Sequence, residues 1–182
     1  MVIPQAGKVY FDDNMILGSW DYRQNIGYLP QIARFPDNLS VQELINMIKD
    51  IRGGAQDESD LVDRFRLRPF LDKKLGNLSG GTRQKVNIVL TFMFDAKVLI
   101  LDEPTAGLDP VSLIDLKQLI EDEKAKGKII LITTHIMPLV EEIADEILFL
   151  LDGKMYFQGT IEELGAKTGK QNLEHSIASI VS

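Results

Sequence analysis

Two short apolar runs, Val98–Leu101 and Ile129–Thr133, are separated by a segment with helix signals at both ends. Pro110 stands where a helix starts, and Gly127 closes it after lysines in the last turn. An apolar strand, a helix and a second apolar strand imply parallel strands joined by a crossover, so the chain is α/β with a parallel sheet. The run Val98–Leu101 suits a strand buried on both faces. Sheets of this kind bind ligands at the carboxyl ends of their strands. The first run ends in Asp102-Glu103-Pro104, and His135 follows Asp102 by 33 residues. One βαβ crossover of roughly 30 residues would place the two at the same end of neighbouring strands.

Upstream, Lys8–Phe11 and Ile26–Leu29 read as strands joined by a polar loop holding Trp20. Ser40-Val41-Gln42-Glu43 has capping-box spacing and opens an amphipathic helix to about Ile51, ended by Gly53-Gly54. A second helical piece covers Glu58–Arg66, and Pro69 limits it. The stretch Gln31–Asn77 is more polar than its surroundings and reads as an inserted helical subdomain. A helix over Gly81–Phe94 leads into the first apolar run. After a short helix from Pro138 to Ala144, Glu146–Leu151 and Lys154–Phe157 form a hairpin across Asp152-Gly153, a pair that tolerates positive φ. Thr160-Ile161-Glu162-Glu163 is a second capping box, and the weakly patterned tail after Lys170 favours mobility.

Composition removes several classes of function. There are no cysteines, which excludes disulfides, thiolate metal sites and cysteine nucleophiles. The net charge of −7 argues against general binding to nucleic acid. No stretch approaches the roughly 20 apolar residues of a membrane span, so a membrane role requires a partner chain. The start, Met1-Val2-Ile3-Pro4-Gln5, lacks the charged and apolar regions of a signal peptide.

Two carboxylates at the end of a buried strand suit a Mg-nucleotide site. Asp102 would hold Mg²⁺ through water and Glu103 would polarise an attacking water. Leu78-Ser79-Gly80-Gly81 leads directly into a helix whose first N–H groups, with the Ser79 hydroxyl, make an anion cradle suited to a γ-phosphate. The competing readings are a solvated acidic pair, a plain Ser-Gly-Gly turn and a structural histidine. The 33-residue gap favours function for His135, whereas His175 has no such context.

Gly27–Gln31, Leu78–Lys85, Leu99–Pro104, Ala106–Pro110 and Thr134-His135 stand in the order and spacing of ABC ATPases. From about Gly7 to Gly159 the chain resembles the ATP-binding subunit of an ABC transporter, a P-loop NTPase. The resemblance implies a partial P-loop NTPase core over residues 1–170, with a helical subdomain at about 32–94, a C-terminal β-hairpin and a tail at 171–182. It implies ATP and Mg²⁺ as cofactors. Glu103 would be the catalytic base, Asp102 the metal-site carboxylate, and Gln31 a Mg²⁺ sensor coupled to the transmembrane partner. His135 would be the γ-phosphate switch. Ser79, Gly80 and Gly81 would contact ATP on the opposite subunit, and Asp109 would cross between subunits. Thr82 stands where the family usually has glutamine or another polar or Met residue.

The implied partners are a transmembrane permease and a second ATPase subunit, on the inner face of the cell membrane. The pattern is most like exporters whose permease is a separate chain. Chromosome-maintenance relatives carry heptads absent here, and ribosome-associated relatives pair two domains through a basic linker.

A Gly-x-x-x-x-Gly-Lys-Ser/Thr loop is not found. Gly7-Lys8, Gly127-Lys128, Gly153-Lys154 and Gly169-Lys170 are not followed by Ser or Thr. In the family this loop precedes the strand matching Lys8–Phe11. The expectation is therefore an N-terminally truncated product or a misplaced start, with at least one face of Val98–Leu101 and Ile129–Ile132 exposed. The alternative is a non-catalytic subunit that donates its signature residues to a partner's ATP site.

Overall fold

The fold was taken from a computed structural model, which describes residues 6–53, 57–170 and 172–181. Contacts divide the chain into two units, Met1–Thr133 and Thr134–Ser182.

The first unit is built on three parallel strands in the order β3-β4-β5, with β3 at Ile26–Leu29, β4 at Val98–Asp102 and β5 at Ile129–Thr133. Ile26 faces Val98, which faces Ile129, and Tyr28, Ile100 and Leu131 form the next row. Alternation sends Leu29, Leu99 and Leu101 to the helix-covered face, where all three are buried. Helices α3 (Gly80–Phe92) and α4 (Pro110–Ala125) supply buried Val86, Val89, Leu116 and Ile120 to this core.

The other rows are not covered. Tyr28, Ile129 and Leu131 are 55%, 61% and 55% exposed, and Val98 and Ile100 are half-buried. The reading of β4 as buried on both faces is thereby corrected: only its Leu99 and Leu101 side is closed. Parallel sheets ordinarily have both faces covered, and here the helical layer lies on one. The expected exposure of one face of β4 and β5 is what the structure shows.

Before β3, a small antiparallel pair joins β1 (Tyr10–Phe11) to β2 (Asn14–Met15), so the strand expected at Lys8–Phe11 is shorter and belongs to a local hairpin. Between β3 and β4 lie α1 (Val41–Arg52), α2 (Ser59–Arg64) and α3. Both bonds of the Ser40–Glu43 capping box form at the start of α1, and Gly53 caps its end at a φ of 63°. Gly54, also expected at that end, lies outside the described residues. Arg64 pairs with Asp122 at 3.0 Å and Arg66 with Asp115 at 2.7 Å, which joins the α2 region to α4.

The second unit holds α5 (Met137–Ile143), the hairpin β6 (Ile147–Leu151) and β7 (Lys154–Gly159), α6 (Ile161–Thr168) and α7 (Leu173–Val181). Asp152 and Gly153 turn the hairpin with φ of 49° and 73°. The Thr160–Glu163 capping box forms at α6. The tail departs from expectation. Leu173 packs with Phe157 and Leu164, and Glu141 accepts from its amide at 3.3 Å, so α7 is ordered by packing that weak patterning did not announce.

Candidate functional site

The carboxyl ends of β3 and β4 are neighbours, because Leu29 pairs with Leu101. Gln31 stands exposed just beyond β3. Asp102 is the last residue of β4, on the open side of the sheet with Val98 and Ile100, and its carboxylate accepts the Thr133 hydroxyl.

Glu103 leaves the strand in the left-handed region, with φ of 46°. Its N–H donates to the Thr133 carbonyl at 2.9 Å, which holds this turn. A glutamate at positive φ costs of order 1–3 kcal/mol, and such strain persists where the surroundings over-determine it.

Ser79 is the N-cap of α3: its hydroxyl accepts from the Thr82 N–H at 3.2 Å and lies 2.8 Å from the Thr82 hydroxyl. The two glycines that follow have different reasons to be glycine. A Cβ on Gly81 would stand 2.4 Å from the Gly107 carbonyl oxygen, so packing requires glycine there. A Cβ on Gly80 would meet nothing within 4 Å, and its φ is not positive. The fold has no use for glycine at 80.

Asp109 caps α4 through Ser112, whose N–H and hydroxyl both donate to its carboxylate at 2.9 Å. Lys85 Nζ lies 2.6 Å from the same carboxylate. The lysine bond, the Ser112 amide and the Ser112 hydroxyl together hold the Asp109 carboxyl well below the usual carboxylate range. Ser79–Gly81 and Gly107–Asp109 are therefore brought together. Gln31, Asp102 and Glu103 lie at the ends of adjacent strands. His135 belongs to the second unit, where it occupies an exposed bend between Thr133 and α5.

Sequence reasoning missed the polar residues of α3 that secure this end of the sheet. Gln84 donates to the Pro104 carbonyl at 3.1 Å and Asn87 to the Pro30 carbonyl at 3.2 Å. The Thr91 hydroxyl lies 2.9 Å from the Asn87 carbonyl of its own helix and 3.3 Å from the Tyr28 carbonyl. Gln84 and Asn87 serve carbonyls just beyond the ends of β4 and β3. The three residues' spacing of three and four, with Asn87 and Thr91 set among the apolar residues of the second half of α3, was the available signal.

A groove of about 290 Å³ is lined by Tyr28, Pro30, Ile32, Phe35, Arg52 and Asn87, among others, beside Gln31. Ile32 is 72% exposed at its rim.

With this geometry in place, comparison with known proteins identifies the family. The family model described as ABC transporter matches residues 1–106. The chain is 35% identical over 152 residues to ABC transporter ced-7 of Caenorhabditis elegans, covering 81% of this chain and 9% of that protein. It is 31% identical over 173 residues to the lipopolysaccharide export system ATP-binding protein LptB of Escherichia coli K12, covering 90% of this chain and 72% of that protein. A solved structure titled as that of the ATP binding subunit of an ABC transporter superposes with a TM-score of 0.91 at 26% identity, covering 98% of this chain and 78% of the other. The chain thus spans a small part of the first relative and about three quarters of the other two. By its strand-end carboxylates, its capped Ser-Gly-Gly turn and these matches, the chain belongs to the ATP-binding subunits of ABC transporters.

Proposed function

We propose that the chain acts as an ATP-hydrolysing subunit of an ABC transporter, coupling turnover to movement of a substrate through a separate membrane permease. The observation that carries this reading is the end of β4. Asp102 lies on the open side of the sheet, while Glu103 is turned off the strand at positive φ by its bond to Thr133. A metal-site carboxylate and a water-activating base must address different atoms, and a change of backbone direction between them would let each do so. Glu103 would then be the catalytic base, His135 the γ-phosphate switch, and Asp102 with Gln31 the Mg²⁺ site.

Among the described residues no group of three or more His, Asp or Glu could hold a metal by itself. That fits Mg²⁺, which keeps several waters and binds through one or two carboxylates plus the phosphates of its nucleotide. Bound ATP would supply the phosphoryl group, and the residues present would orient water, metal and phosphate around it. Ser79, Gly80, Gly81 and Asp109 would reach the nucleotide of a neighbouring subunit. A glycine at 80 that packing does not need supports close approach of a ligand there. The groove lined by Tyr28, Ile32, Phe35 and Arg52, both apolar and polar, suits a short segment of the permease. Among the described residues no helix is long and apolar enough to cross a membrane, in keeping with a partner that does, and with a place on the inner face of the cell membrane.

A second reading is favoured by one specific observation: none of the 182 residues forms a Gly-x-x-x-x-Gly-Lys-Ser/Thr loop. On that reading residues 1–182 donate the signature turn to a complete partner and do not cradle ATP themselves. Two assays separate the possibilities. Calorimetry of residues 1–182 with Mg-ATP is expected to show no micromolar binding, and micromolar binding would refute the loop argument. Mixing the chain with an ABC ATP-binding subunit that carries its own phosphate loop is expected to raise turnover above that subunit alone. No gain would remove the donor reading.

A further inference from the structure

We infer that Lys85 is a positioning residue, which clamps the segment Pro104–Asp109 to the first turns of α3. Its functional meaning rests on the role proposed above for Ser79–Gly81 and Asp109. Gly81, Gln84 and Lys85 are spaced three and four apart, so they share one face of α3. Each of the three meets the same segment. The Gly107 carbonyl closes against Gly81 so tightly that a Cβ has no room. The buried Gln84 amide donates to the Pro104 carbonyl at 3.1 Å. Lys85, whose side chain is only 16% exposed, reaches the Asp109 carboxylate at 2.6 Å.

Asp109 is held in turn by Ser112 through two bonds of 2.9 Å at the start of α4. Lys85 is thus the charged link from the signature helix to the cap of the next helix. A lysine withdrawn this far from water keeps its place because it has a fixed carboxylate partner. The two segments that would touch a neighbour's nucleotide are held as one rigid element. A shift in either carries the other with it.

The test uses hydrogen exchange of residues 1–182. The Ala106 amide donates to the Glu103 carbonyl and the Leu108 amide to the Thr105 carbonyl, each at 3.2 Å, so both report on the clamped segment. Lys85→Met keeps the aliphatic stem and removes the charge. It is expected to speed exchange at Ala106 and Leu108 by about 5- to 20-fold while leaving the Leu44 amide of α1 unchanged. Lys85→Arg restores slow exchange, and Lys85→Met with Asp109→Asn together give no more than the larger single effect. Unchanged exchange in Lys85→Met, or no rescue by arginine, overturns the clamp. In the mixed ATPase assay, Lys85→Met lowers kcat with KM for ATP unchanged, and Lys85→Arg keeps kcat. Should the wild-type chain raise no turnover, the donor role falls, and the exchange result still decides the clamp.

Discussion

Adjacent glycines at 80 and 81 should respond to alanine in opposite ways. At Gly81 a new Cβ would stand 2.4 Å from the Gly107 oxygen, against an ordinary C···O separation of about 3.3 Å. Relief requires a shift of about 0.9 Å between α3 and the Gly107 segment. That segment cannot drift freely, because Gln84 holds Pro104 and Lys85 holds Asp109. Overpacking against fixed backbone costs about 1–3 kcal/mol. Alanine recovers at most about 1 kcal/mol of helix propensity over glycine. Gly81→Ala should therefore destabilise by about 1–2 kcal/mol, which lowers Tm by about 2–8 °C for a chain of this size.

Gly80→Ala meets nothing within 4 Å and gains only the propensity term, so it should be neutral or stabilising by up to about 1 kcal/mol. Urea unfolding followed by far-UV circular dichroism is the suitable assay. Fluorescence is not, because Trp20 is 64% exposed and far along the chain from the substituted helix. Equal stability of the two variants would refute the contact between Gly81 and Gly107 and, with it, the reasoning that separates a packing glycine from a ligand glycine.

Further expectations concern the ion pairs and the open face. The Glu123 side chain is 8% exposed and pairs with Lys128 and Lys126 at 2.6 Å. Glu123→Gln should cost about 2 kcal/mol, nearly all of it from the Lys128 pair, since Lys126 is mostly exposed. Burial raises the Glu123 carboxyl, and the bonds from Lys126 and Lys128 outweigh it, so the net shift is downward. The stabilisation is therefore present above the unfolded carboxyl value and lost as pH falls through the folded one. Acid titration of Tm should be flatter in Glu123→Gln over that window. Leu131→Thr in residues 1–182 should change stability by less than about 0.5 kcal/mol and reduce binding of a hydrophobic dye, because the side chain is already in water. A loss above about 2 kcal/mol would mean that the face is covered.

Much of this fold was legible because its signals are local. The branched apolar runs at Val98 and Ile129 marked two parallel strands, and Ile26–Leu29 reads as a strand without its pairing. The capping boxes at Ser40 and Thr160 marked two helix starts, and Asp152-Gly153 marked the hairpin. The residues proposed for the site are read from motifs, and the structure groups Ser79–Gly81 with Gly107–Asp109.

What was not legible depends on partners distant in sequence. Whether Leu131 faces solvent is decided by which side the helices cover, and its own neighbours do not carry that information. Helix α7 is ordered by Leu173 against Phe157 and Leu164, contacts that no pattern within the tail announces. Lys85 and Asp109 lie 24 residues apart in separate motifs, and neither motif announces that the two pair. Only the helical face shared by Gly81, Gln84 and Lys85 hinted at a common partner.

In the proposed function Glu103, at the turn that ends β4, is the base of an ATPase. Its most direct test places a P-loop strand and helix upstream of residues 1–182 and compares ATP turnover with and without Glu103→Gln. Glu103→Gln is expected to lower turnover by about 10²- to 10⁴-fold, with the fold intact by circular dichroism. Full turnover in the glutamine variant would contradict it.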